Sequence, residues 1–232
     1  MTSLRYEKKR SELEEYFDRT AAQAWAKLTS DVPVSGIRAT VRAGREQTQD
    51  IILSRLPEDL SGKRIFDAGC GTGALAVEIA KRGGHVIAVD LSSTLIDLAK
   101  ERLDPNLSHL VEFYAGDMLD SKFGYFDYVV CMDSVIHYQG TDKVIVLEQL
   151  AKNTQHKIIF TFAPSTFALE MMIRIGKLFP KRDRSPFIVP VAEDKLRREI
   201  QRAEDLQDWN VTFTQRVSSM FYQSQTMEIS KK

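Results

Sequence analysis

The chain has 232 residues, 43% of them hydrophobic, with 32 basic against 32 acidic side chains; this suits one well-buried domain carrying a small lid or insertion, and excludes two ordinary enzyme domains. The balanced charge gives no electrostatic reason to expect nucleic acid as a partner, and two cysteines without metal-type spacing, Cys70 and Cys131, fit a reducing compartment and argue against any metal site. With no signal core in "MTSLRYEKKRSELEEYF" and no uninterrupted run of 18 apolar residues, a cytoplasmic protein is expected, peripheral membrane contact remaining open.

In chain order, Leu13, Phe17, Ala21, Ala24, Trp25 and Leu28 recur at three- and four-residue steps and predict an amphipathic helix that ends before Pro33. A second helix, from Ile37 to Leu56, carries Arg38, Arg42 and Arg45 near its start and stops at Pro57. Residues 1–58 thus form a helical arm or lid before residues 59–232. From Lys63 the rhythm changes. Strands are predicted near Arg64–Ala68, His85–Asp90, Val111–Ala115, Phe126–Cys131 and Lys157–Phe162, with helices over Gly73–Arg82, Ser92–Leu103 and Thr141–Asn153. Such alternation builds an α/β domain, a parallel sheet with helices on both faces. A helical insertion follows, at about 164–203. It comprises an apolar helix over Phe167–Phe179, a basic stretch with Lys177, Lys181, Arg182 and Arg184, and a charged helix near Ala192–Arg202. The chain then ends in two strands, Trp209–Val217 and Met220–Ser224, parted by Ser218–Ser219.

The informative stretch is "RIFDAGCGTGALAVEIA", Arg64 to Ala80. Gly69, Gly71 and Ala74 satisfy the dinucleotide pattern G-x-G-x-x-G/A, while Gly69, Gly71 and Gly73 satisfy a tighter G-x-G-x-G. Either way the turn lets a ligand approach the backbone and the helix-start amides. Asp67, two positions before Gly69, separates the two. A fixed carboxylate beside a pyrophosphate would cost on the order of a kcal/mol, whereas the sulfonium and ammonium of S-adenosylmethionine would welcome it.

Asp90 closes the second strand 21 positions after Gly69, near the interval expected for an acid that binds ribose hydroxyls. Asp117 in "YAGDM" follows the third strand, where it can accept from an adenine amino group, with Met118 giving an apolar edge. Three acids at the ends of three successive strands all face the ligand crevice of an open parallel sheet. The plainer reading of each is a helix cap, at Asp90 or Ser92 for the helix after the second strand; the three acids together with the glycines favour cofactor binding. Cys70 reads as a small filler of the cofactor loop, since no base adjoins it.

After the fourth strand, "CMDSVIHY" places Asp133, Ser134, His137 and Tyr138 at the carboxyl end of the sheet, beside the crevice. His137 reads as a general base, a ligand to a substrate metal or a hydrogen-bonding group, against the plainer reading of a half-buried histidine. The arginines of the second helix and the basic 177–184 stretch read most plainly as solvated faces. An arginine there would also meet a carboxylate, and the basic stretch would also suit anionic lipid.

"DAGCGTG", Asp90 and "GDM" resemble the class I S-adenosylmethionine-dependent methyltransferases over about Lys63 to Phe162. The resemblance implies a Rossmann-like, seven-stranded, mostly parallel sheet with an antiparallel last strand, helices on both faces and an N-terminal helical lid. The segments "EYFDRTAAQAWAKL", "VSGIRATVRAGREQT", "ILSRLPEDLSGKRIFDAGCGTG", "FDYVVCMDSVIHY" and "GKLFPKRDRSPFIVP" extend it. Together they resemble the magnesium-protoporphyrin IX methyltransferase family of bacteriochlorophyll and chlorophyll synthesis.

That resemblance implies methylation of one propionate of Mg-protoporphyrin IX, with Asp67, Gly69, Cys70, Gly71, Gly73, Asp90, Leu91, Asp117, Met118, Asp133 and Arg42 on the cofactor side. His137 and Tyr138 stand on the catalytic side. It further implies docking to the large porphyrin-binding subunit of magnesium chelatase. Thr29 departs from members that carry a tyrosine near that position, so any role of that tyrosine would pass to Tyr16 or Tyr138. Two competing readings are a quinone-precursor O-methyltransferase of the same fold, whose phenol would need a base, and a non-catalytic porphyrin carrier.

Overall fold

The computed structural model describes residues 4–18, 29, 36–165, 188–219 and 221–232. Among the described residues, two helices precede the first strand: α1 (Leu4–Tyr16) and α2 (Ile37–Ser54). The described first helix begins earlier than the apolar spacing predicts, because buried Tyr6 joins Leu13 on its inner face. Trp25 lies outside the described residues, as do the apolar helix over Phe167–Phe179 and the basic 177–184 stretch.

Strand and helix then alternate through β1 (Arg64–Ala68), α3 (Ala74–Lys81), β2 (His85–Asp90), α4 (Ser93–Arg102), β3 (Val111–Ala115), β4 (Phe126–Cys131), α5 (Gly140–Lys152) and β5 (Thr154–Phe162). The described chain closes with α6 (Glu193–Arg202), β6 (Trp209–Ser219) and β7 (Tyr222–Lys231).

The seven strands form one sheet in the order β3-β2-β1-β4-β5-β7-β6. Strands β1 to β5 pair in parallel, while β7 pairs antiparallel with both β5 and β6. Hence β7 alone runs against the rest. The final hairpin differs from the expectation in extent. Ser218 and Ser219 belong to β6, and β7 runs on through "TMEIS" to Lys231, because its polar Gln225 and Glu228 are buried with partners of their own.

The apolar strand runs bury both faces. Phe66, Val89, Val129, Phe160 and Met227 share one core, while Ile65, Val86, Val130 and Ile159 share the other with Ile52, Leu75 and Ile79. Period-two alternation puts Asp67 on the Ile65 face, toward the start of α3. Since β2 and β3 lie on one side of β1 and β4 on the other, the strand order reverses between β1 and β4. A crevice opens at their carboxyl ends.

Candidate active site

That crevice is a cleft of about 990 Å³ between the loops that follow β1, β2 and β4. Its floor is the glycine turn, where the amides of Gly69 and Cys70 donate to the Val89 carbonyl at 2.8 and 3.0 Å. Gly69 has φ +86° and lies so close to β4's loop that a Cβ would overlap Ser134. Gly71, at φ +55°, meets nothing within 4 Å and opens into the cleft. Only glycine keeps both conformations free of strain. Gly73, expected with them, is not among the lining residues; it is the left-handed N-cap of α3.

Asp67 is 1% exposed, and its Oδ2 has no hydrogen-bond partner. Burial, reinforced by the charge of Asp90, raises its pKa to about 7 against the pull of the Ala76 amide. A buried, unpartnered carboxylate oxygen facing a cleft is costly unless a cation or donor arrives. Asp90 accepts from the amides of Gly71 at 2.8 Å and Ser92 at 2.9 Å, so its carboxylate braces the glycine turn from below. Burial raises its pKa too, against those amide bonds. The helix cap is Ser92, whose Oγ accepts from the Leu95 amide at 3.2 Å. Leu91, Met118 and Cys70 also line the cleft. Burial, then the charges of Asp67 and Asp90, push the Cys70 thiol well up, which leaves it protonated.

Asp117 and Arg42 are not among the residues that line the cleft. The Asp117 carboxylate accepts from Tyr6 Oη at 2.7 Å, Arg10 at 3.1 Å and the Leu119 amide at 2.9 Å. It therefore anchors α1, and only its neighbours Gly116 and Met118 line the cleft. On α2 the cleft is met by Arg45 and Gln49, with Arg42 not among the lining residues. Arg45 pairs with Asp133, which adopts φ +55° and accepts from Thr161 and Tyr222 at 3.3 Å. Arg45 is an arginine of the second helix that meets a carboxylate; Gln49 and Tyr222 escape sequence reasoning, because no local pattern says what they meet.

At the acceptor end, His137 ends a single turn of 3-10 helix over Val135–His137 and is buried against the ring of Phe17, 6.0 Å away edge-on. Tyr138 stacks on Tyr6 at 5.3 Å; burial raises its phenol well above the usual range, so it stays protonated. Both line the cleft, and so does Thr29. Asp18 reaches across to Ser92 Oγ at 2.6 Å. Among the described residues no cluster of three or more His, Cys, Asp or Glu is placed to hold a metal.

Comparison with known proteins gives this geometry a family. A family model described as the magnesium-protoporphyrin IX methyltransferase C-terminus matches residues 131–231, and a methyltransferase-domain model matches residues 65–156. The magnesium-protoporphyrin O-methyltransferase of Rhodobacter capsulatus is 53% identical over 194 residues, covering 83% of this chain and 87% of its own length. The chain belongs to the magnesium-protoporphyrin O-methyltransferase family. The chloroplastic magnesium protoporphyrin IX methyltransferase of Arabidopsis thaliana is 31% identical, over 92% of this chain and 69% of its own. The crystal structure of magnesium protoporphyrin IX methyltransferase from Synechocystis PCC 6803 with bound SAH superposes with a TM-score of 0.84 at 26% identity, covering 96% of this chain and all of that one. The two family models overlap over residues 131–156, which hold Asp133, His137 and Tyr138; Asp67, the glycine turn and Asp90 fall in the methyltransferase-domain model alone, and Tyr222 in the magnesium-protoporphyrin model alone.

Proposed function

We propose that this chain methylates a propionate carboxylate of Mg-protoporphyrin IX, using S-adenosylmethionine and giving the monomethyl ester. The carrying observation is the likeness to the Rhodobacter enzyme, 53% identity over 83% of this chain, in a chain whose cleft holds a buried Asp67 oxygen without a partner. S-adenosylmethionine supplies a methyl group activated on a cationic sulfur. Asp67 would hold the ammonium of the amino-acid end, and Asp90 keeps the turn in shape while its remaining lone pairs would meet ribose hydroxyls. Leu91 and Met118 would flank the adenine.

A propionate is already ionised at neutral pH, so the acceptor end needs no strong base. Tyr138, kept protonated by burial, and His137 would position the carboxylate by hydrogen bonds and exclude water, leaving alignment as the main source of rate. The arm that includes α1 would cover the macrocycle as a lid, tied down through Tyr6 and Arg10 to Asp117 and through Asp18 to Ser92. Docking to the large porphyrin-binding subunit of magnesium chelatase and peripheral membrane contact belong to the same reading. No helix among the described residues is long and apolar enough to cross a membrane.

The test is transfer of label from S-adenosylmethionine to Mg-protoporphyrin IX, with metal-free protoporphyrin and a quinone precursor as parallel acceptors. Ester formation on the magnesium porphyrin alone is expected. Labelling of the quinone would overturn the substrate, and no transfer with donor still bound would favour the carrier.

A further inference from the structure

Lys143 lies in the first turn of α5, fully buried and not among the residues that line the cleft. Its Nζ donates to the backbone carbonyl of Tyr138 and, at 3.0 Å, to that of Val189. Val189 in turn donates its N–H to the Ile136 carbonyl at 2.9 Å. The residues on either side of His137 are thereby both tied to Val189. The tie continues into the sheet: Val191 donates to the Ala163 carbonyl, and Ser165 donates to that of Val191, each at 3.0 Å, beside the end of β5.

A fully buried lysine is uncommon unless it is paired. Burial lowers the Lys143 pKa to about 8, against the opposing charges of Asp142 and Glu199. An apolar side chain in its place would leave the Tyr138 and Val189 carbonyls without this donor. What the ammonium adds is several donors on one atom, enough to bridge two carbonyls that come from distant parts of the chain. Both carbonyls belong to the support of His137.

We propose that Lys143 is a positioning residue for methyl transfer: by clamping the carbonyls of Tyr138 and Val189, it fixes the turn that presents His137 to the acceptor end of the cleft. The inference rests on the function proposed above, and its test has a readout independent of that function.

In the full-length chain, Lys143→Met removes both hydrogen bonds and keeps the volume. Single-turnover transfer to Mg-protoporphyrin IX should slow about 10- to 100-fold, the scale of a small misplacement of a reacting group. Calorimetric affinity for S-adenosylmethionine should not change, while the melting temperature should fall by a few degrees as the Tyr138 and Val189 carbonyls lose their donor. In a histidine-labelled NMR spectrum the His137 signal, alone among four histidines, should move.

A wild-type transfer rate, an unmoved His137 signal, or a loss of donor affinity would overturn the proposal. Should the methionine variant not fold, Val189→Pro deletes the N–H given to Ile136. It should bring the same slowing and the same His137 shift, and a normal rate with an unmoved signal would again overturn the proposal. Failure of the wild-type chain to methylate Mg-protoporphyrin IX would strike the functional reading alone, since the histidine spectrum still tests the clamp.

Discussion

Donor binding should weaken steeply between pH 8 and pH 5, through one carboxylate. Asp67 is 1% exposed with a partnerless oxygen, and burial beside Asp90 raises it from an ordinary 3.8 to about 7. To meet a cationic donor it must be ionised, so binding displaces a proton wherever the ligand-free site holds one. A site with a pKa of about 7 then gives an apparent dissociation constant roughly tenfold weaker at pH 6 and roughly a hundredfold weaker at pH 5 than at pH 8.

Stability without donor moves the opposite way. The folded-state pKa lies above the unfolded one, so the fold holds the extra proton between pH 4 and pH 7 and loses stability as pH rises through that window. The loss from this group is at most about 4 kcal/mol. Asp67→Asn should remove the titration: ligand-free stability gains on wild type above pH 7, while donor affinity is poor at every pH. Calorimetric titration with S-adenosylmethionine in two buffers of different ionisation enthalpy reads both affinity and proton release. Close to one proton should leave per site at pH 6. A wild-type affinity that is flat from pH 5 to 8, with no proton released, would refute the reasoning.

Asp90→Ala should leave the Gly71 and Ser92 amides without their acceptor and weaken donor binding about a hundredfold, which calorimetry would read directly. Gly69→Ala drives a Cβ into Ser134 at φ +86° and should destabilise by about 3 kcal/mol. Gly71→Ala, with open space around it, should cost only about 1 kcal/mol in thermal unfolding while lowering donor affinity. In the last strand, burial pushes Glu228 up, but Arg55, Thr212 and Lys157 outweigh it and hold it below its usual range. Arg55→Ala should therefore destabilise by about 3 kcal/mol at pH 7. In urea unfolding that difference should shrink as pH falls through the folded-state pKa of Glu228 and its charge is lost.

The parts of the site legible in the sequence are those built locally. Strand, glycine turn, helix and next strand place Asp67, the turn and Asp90 together within a short stretch, and the alternating apolar runs announce a sheet buried on both faces. The last strand is less legible because it lacks an uninterrupted apolar run: Glu228 lies buried in it, held by Thr212, Lys157 and Arg55, the last from 173 residues away at 3.0 Å. No local pattern records that partner. Asp117 is a similar case: its strand-end position points it to a ligand, but Tyr6 and Arg10, 111 and 107 residues distant in sequence, claim the carboxylate.

The choice of Arg45 over Arg42 at the cleft turns on one glycine. Gly44 packs so closely on Tyr222 that any Cβ there would overlap the ring. With no side chain between them, α2 lies against the start of β7, and Tyr222 reaches Asp133 at 3.3 Å. That contact sets the rotation of α2 about its axis, which brings Arg45 onto Asp133 and places Gln49, one turn on, along the same wall. Helical periodicity in the sequence defines a set of faces; the close approach of Gly44 to a tyrosine in the terminal hairpin selects among them. The terminal hairpin is therefore a positioning element of the cleft, and Gly44→Ala should disturb the Arg45–Asp133 pair before it unfolds the sheet.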